Sequence, residues 1–151
     1  MPDEAASLRE ASEAWEALFR CQVTIMRRLQ KHPAFKGVNM REYDVLFNLS
    51  RCPSGGLRLG DLNEHVLMSQ PSLSRMVERL ESKGLVERRP DPCDQRAVRL
   101  TLTDRGRELQ RKIGREHVRH IHELLSPALS PEQLRELTAL TTRLGGAVGS
   151  S

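Results

Sequence analysis

A chain of 151 residues is about one domain, long enough to bury a core of its own without disulfides or a structural metal. Charged side chains make up 29% of it and aromatics 3%, with no run of about 18 apolar residues, which excludes a membrane span and points to a mostly helical soluble protein. The formal charge of +4 is unevenly spread: residues 1–16 carry one Arg against five acids, residues 75–119 thirteen Lys or Arg against eight acids, and a cationic surplus so placed suggests a polyanion as partner.

The N-terminus, Met1 to Ala6, is acidic and lacks the apolar stretch of a signal peptide. Three scattered cysteines fit a reducing, cytoplasmic setting better than a secreted one. Ser7 to Lys31 reads as a long amphipathic helix, with Leu8, Ala11, Trp15, Leu18, Ile25 and Leu29 at helical spacing and Phe19 and Met26 beside them. The stripe is wide for a surface helix. It reads as half core and half contact with a partner helix, or as core alone. Pro33 ends this helix, and Asn39 stands three residues before Glu42 at capping-box spacing. The helix so started carries Tyr43, Leu46, Phe47 and Leu49 and stops before Pro53, where Ser54 to Gly56 form a loop.

Leu59 to Val66 is a short apolar-periodic segment, followed by a turn at Leu67 to Ser69. Ser69 can cap the next helix, Pro71 suits its first turn, and Gly84 ends it. Leu73, Val77 and Leu80 point inward with Met76 at the edge, which leaves Gln70, Ser72, Ser74, Arg75 and Arg79 outside. Two β-like runs follow, Leu85 to Arg89 and Ala97 to Leu102, joined by the loop 90–96. Helix, turn, helix and hairpin form a winged helix-turn-helix, whose second helix is built to enter the major groove of DNA. Short polar residues on its first turn let the backbone approach, and Arg reaches guanine or phosphate. At the hairpin tip Arg96 can enter the minor groove, with Asp94 expected to hold its guanidinium; Arg88 and Arg89 either contact phosphate or flank the turn. Thr103 caps a helix running to about Leu125, Ser130-Pro131 opens a last one bearing Leu134, Leu137, Leu140 and Leu144, and Gly145 to Ser151 reads as a frayed tail.

From Leu59 to Gly106 the sequence resembles the MarR family of bacterial transcription regulators. The matching pieces, in order, are Leu59-x-x-Leu62, Ser69-x-x-x-x-Ser74-Arg75, Leu80-Glu81-x-x-Gly84-Leu85-Val86-x-Arg88, Asp94-x-Arg96 and Leu100-x-Leu102-Thr103-x-x-Gly106. The family often has Thr where Ser74 stands, and the hydroxyl is kept. The resemblance implies a mostly α, winged-helix fold with a two-stranded wing, and a homodimer with interlocked terminal helices. Residues 1–38 and 103–147 would form the helical dimerisation region, 39–102 the DNA-binding domain and 148–151 a flexible tail. It implies a repressor on a pseudo-palindromic operator in double-stranded DNA. Ser69, Gln70, Ser72, Ser74, Arg75, Arg79, Arg88, Arg89, Asp94 and Arg96 are the candidate DNA contacts. Family members are often released by a small molecule; by layout Trp15, Phe19, Tyr43 and Phe47 are candidate lining residues, or else ordinary packing.

Two other switches stay open on the residues alone. Cys93 lies on the wing near Arg88, Arg89 and Arg96, which favour thiolate, and near Asp91 and Asp94, which oppose it, whereas Cys21 and Cys52 read as small core residues. His117, His120 and His122 with Glu116 and Glu123 crowd one helix but lack metal-ligand pairing, so neither a metal nor another cofactor is expected. With no phosphate loop, nucleophile elbow or acid–base pair, an enzyme is not expected, and no catalytic residue is nominated. The rival function is a winged domain used for protein contact alone.

Overall fold

The structure, a computed structural model, describes residues 5–52 and 55–150. Along the chain run α1 (Leu8–Leu29), a 3-10 turn (Pro33–Phe35), α2 (Met40–Ser50), β1 (Leu57–Arg58), α3 (Leu59–His65), α4 (Gln70–Ser82), β2 (Val86–Pro90), β3 (Val98–Leu102), α5 (Asp104–Leu125) and α6 (Pro131–Gly149). The chain divides into two units. One is made from its two ends, through Leu29 and from His117 onward; the other spans Gln30–Glu116.

The central unit is a winged helix. Its core is aliphatic: Val45 and Leu46 of α2, Leu62 of α3, and Leu73, Val77 and Leu80 of α4 are wholly buried, with Leu100 of β3 at their edge. Each such Leu contributes roughly 1.5–3 kcal/mol relative to exposure. Met76, expected at the margin, is buried as well. The N-terminus of α2 is capped as its spacing predicts, the Asn39 side chain accepting the Glu42 amide at 2.9 Å. The reciprocal half of the capping box is absent, because the buried Glu42 carboxylate takes the Lys83 ammonium at 2.9 Å instead. That pair ties the start of α2 to the end of α4. The Tyr43 ring meets Phe35 edge-on at 5.7 Å and stacks on Phe47 at 6.2 Å.

The wing differs from expectation by one strand. The sheet has three antiparallel strands in the order β1–β3–β2, with Val86 opposite Leu102, Pro90 opposite Val98, and Leu57 opposite Leu100. A two-residue strand cannot show the alternation by which strands are read, so β1 has no sequence signal. Leu100 and Leu102 face the core, whereas Val98 is already 44% exposed where the hairpin leaves it.

In the terminal unit, Leu29 is the buried residue of α1, and α6 has none. Trp15 and Phe19 stay 63% and 51% exposed, and Leu137, Leu140, Leu144 and Val148 are exposed along α6. Cys21, expected in a core, is exposed on α1, and Cys52 is partly buried just past α2. The residues 145–149 expected to fray are helical. Gly costs only about 1 kcal/mol in a helix interior, and the Ser150 hydroxyl donates to the Gly146 carbonyl. A full capping box between Ser130 and Gln133 starts α6 as predicted. Among the described residues no helix is long and apolar enough to cross a membrane.

Candidate nucleic-acid interface

The sequence of α4 sets both of its ends. The Ser69 hydroxyl accepts the Ser72 amide and donates to the Ser72 hydroxyl at 2.8 Å. At the other end Gly84 sits at φ +72°. Its amide donates to the Glu81 carbonyl and the Leu85 amide to the Leu80 carbonyl. This paired closure favours glycine at a left-handed φ. Between those ends Leu73, Met76, Val77 and Leu80 are buried, while Gln70, Arg75 and Arg79 are exposed and Ser72 and Ser74 partly so. Five of the candidate contacts therefore share the outer side of one rigidly capped helix.

Beside the head of α4 lies an open groove of about 480 Å³. It is lined by Ser69, Ser72, Arg75, Met76 and Arg79, and also by Arg41 from α2, which sequence reading missed. Nothing in the sequence around Arg41 marks it, since only folding brings the first turn of α2 to this groove.

The wing is held from below by a buried carboxylate. One oxygen of Asp91, which is 2% exposed, accepts Nε of Arg58 at 2.8 Å and Nε of Arg99 at 2.9 Å. Its other oxygen accepts the Cys93 amide at 2.8 Å. The Cys93 amide first, then the Arg58 and Arg99 guanidiniums, hold this carboxyl well below the usual carboxylate range. Arg58 belongs to β1 and Arg99 to β3, so a single anion pins the root of the loop to both strands. The sequence shows Asp91 only as a charge near Cys93; its partners stand 33 and 8 residues away.

At the tip the expectation for Asp94 needs correction. Its carboxylate accepts the backbone amide of Arg96 at 3.0 Å and has no ion pair with the Arg96 guanidinium. A short acid two residues back forms a local turn more readily than it reaches an outward guanidinium. Arg96 is exposed. Arg88 and Arg89 are also accessible, but they pair with Glu81 at 3.0 Å and Glu87 at 2.6 Å. The thiol of exposed Cys93 lies on the same wing, where among the described residues Arg88 and Arg89 are engaged by acids and Arg96 is not.

The remaining candidates fall in two pairs. Trp15 and Phe19 stack at 5.9 Å in the terminal unit, whereas Tyr43 and Phe47 lie in the central one. Tyr43 is core: it is 5% exposed, burial pushes its phenol above the ordinary range, and Gln110 hydrogen-bonds to it. Phe47 is partly open, with the Arg51 guanidinium 5.7 Å from its ring centre. Among the described residues no three His, Cys, Asp or Glu side chains come together as a metal site would require.

Residues 36–97 match the family model described as MarR family. The HTH-type transcriptional regulator MhqR of Bacillus subtilis (strain 168) is 30% identical over 128 residues, 85% of this chain and 86% of that protein. The chain belongs to the MarR family. Other matches agree. The transcriptional repressor MprA of Escherichia coli (strain K12) is 26% identical over 82% of this chain and 69% of that protein. The crystal structure of Sco3205, a MarR family transcriptional regulator from Streptomyces coelicolor in complex with DNA, superposes with a TM-score of 0.78. It is 26% identical and covers 96% of this chain and 92% of that one. MarR family proteins are transcription regulators rather than enzymes.

Proposed function

We propose that this MarR family chain is a repressor that binds a pseudo-palindromic operator in double-stranded DNA as a homodimer. The observation that carries the reading is α4 itself: a helix capped at both ends that shows Gln70, Ser72, Ser74, Arg75 and Arg79 on its open side. Those side chains can hydrogen-bond base edges and phosphates in a major groove. Arg96 on the wing supplies a minor-groove contact, and Arg88 and Arg89 reach phosphate only by giving up Glu81 and Glu87. Repression is carried over from the likeness to MprA, and duplex DNA as ligand from the likeness to Sco3205.

The homodimer rests on uncovered apolar surface. Trp15, Phe19, Leu140 and Leu144 are each about half exposed or more, and a two-fold partner would bury them. In this reading residues 39–102 bind DNA and residues 1–38 with 103–147 dimerise. The test is a mobility shift against duplexes selected by the protein from a randomised pool, beside scrambled duplexes, at two salt concentrations. Tight selective shifts that weaken steeply with salt support the reading. Equal weak binding to every duplex favours a winged domain used for protein contact.

A second reading adds release by a small apolar effector, favoured by the stacked pair Trp15 and Phe19 as an aromatic wall wherever the partner leaves it uncovered. Trp15 is the only tryptophan, so an effector held there changes tryptophan emission as it releases DNA. Release with unchanged emission removes Trp15 from the effector site.

A further inference from the structure

The groove at the head of α4 contains a cation that the reading above leaves idle. Arg41 comes from α2, while Arg75 and Arg79 stand one turn apart on α4, about 6 Å along its axis. No carboxylate among the described residues lines this groove. Among the described residues none of these three arginines forms an ion pair, whereas Arg58, Arg88, Arg89 and Arg99 of the same unit all do. The acid next to Arg41 in sequence offers no relief, because the carboxylate of Glu42 is buried against Lys83. Three guanidiniums around one groove repel one another, and an anion placed among them is attracted by all three. The Ser72 hydroxyl on the same wall, which accepts from Ser69 and keeps its own proton, adds a donor suited to phosphate oxygens.

We propose that Arg41 is a phosphate contact: it grips the sugar–phosphate strand bordering the major groove that α4 enters, while Arg75 and Arg79 face the bases and the same strand. This rests on the DNA-binding reading. Arg41 sits on α2 rather than on the helix inside the groove, so it meets backbone rather than base edges. Its contribution is therefore blind to sequence: it adds affinity to any duplex and fixes how deeply α4 is seated.

The experiment is fluorescence anisotropy with the full chain across a salt series. It uses a selected duplex of roughly 30 base pairs and a scrambled duplex of equal length. Arg41→Ala is expected to weaken both duplexes several-fold and equally, and to lower the slope of log affinity against log salt by about 1 per chain bound. Arg41→Lys keeps the slope. Because Arg41 is exposed, an unchanged melting temperature accompanies the loss. If Arg41→Ala leaves affinity and slope intact while Arg75→Ala weakens the selected duplex, the Arg41 proposal fails and the DNA-binding reading stands. If the wild-type chain binds neither duplex, both fall. Inorganic phosphate at matched ionic strength separates the two sources of phosphate. Displacement of DNA by phosphate well beyond chloride, lost in Arg41→Ala, would assign the groove to a free anion and overturn the proposal.

Discussion

Asp91 shows how one side chain governs the wing. Its buried carboxylate balances two guanidiniums on two strands and closes the loop through the Cys93 amide. Asp91→Asn keeps the shape and removes the charge, which leaves Arg58 and Arg99 uncompensated. Its melting temperature should fall, and with the wing root loosened its affinity for a selected duplex should fall several-fold. The acid dependence has a definite sign. A carboxyl depressed in the folded state contributes stability above its unfolded value, about 3.9, and loses it as pH drops through the folded value. The gap in melting temperature between wild type and Asp91→Asn should therefore be full near neutrality and narrow as pH falls below about 4. A gap that is constant with pH would mean that the ion pairs do not supply it. Arg96 is the opposite kind of residue, exposed and held only through its backbone amide. Arg96→Ala should cost about 1–3 kcal/mol of operator binding and leave melting within about 0.5 kcal/mol of wild type. The exposed place of Arg96 on the wing was legible because the Asp94-x-Arg96 spacing falls in the loop between two β-like runs. Asp91 and Arg41 were not, since what matters about each is a neighbour supplied by folding.

At the scale of elements, what could be read was what local chemistry decides. Both ends of α4, the Ser130 box of α6 and the β2–β3 hairpin follow from caps, turn residues and periodicity. What could not be read was short or dependent on tertiary contact: β1, the 3-10 turn at Pro33–Phe35, and the diversion of Glu42 from its box to Lys83. The junction of wing and α5 belongs to both classes. Thr103 caps α5 as expected, accepting the Gly106 amide at 3.0 Å, and it also donates to the Gly84 carbonyl at 2.6 Å. One hydroxyl thus links the end of α4 to the start of α5. Gly106 is required by proximity: a Cβ there would lie 2.0 Å from the Leu85 carbonyl oxygen. Backbone cannot yield as a flexible side chain can. Gly106→Ala should destabilise the chain by about 1–3 kcal/mol, measured as a lower urea midpoint at unchanged m-value. An unchanged midpoint would show that α5 can shift away from Leu85 at no cost.

For the whole molecule, the sequence announced an excess of apolar surface, and the structure places most of it on α1 and α6 of the terminal unit, with Phe47, Leu67 and Val98 the exposed large apolar side chains described in the winged unit. It did not announce what covers those faces, because an amphipathic stripe looks the same whether its partner is internal or a second copy. In the proposed homodimer a two-fold partner covers that surface and sets the form of the DNA site. Two recognition helices about 34 Å apart in such a dimer would meet successive major grooves on one side of the duplex. The most direct measurement is binding of the purified chain to a duplex carrying two selected half-sites, compared with the same duplex after insertion of about 5 base pairs, half a helical turn, between them. Two chains should bind each uninterrupted duplex, and the affinity should drop to that of a single half-site after the insertion. One chain per duplex, or equal affinity for the two duplexes, would contradict the homodimer.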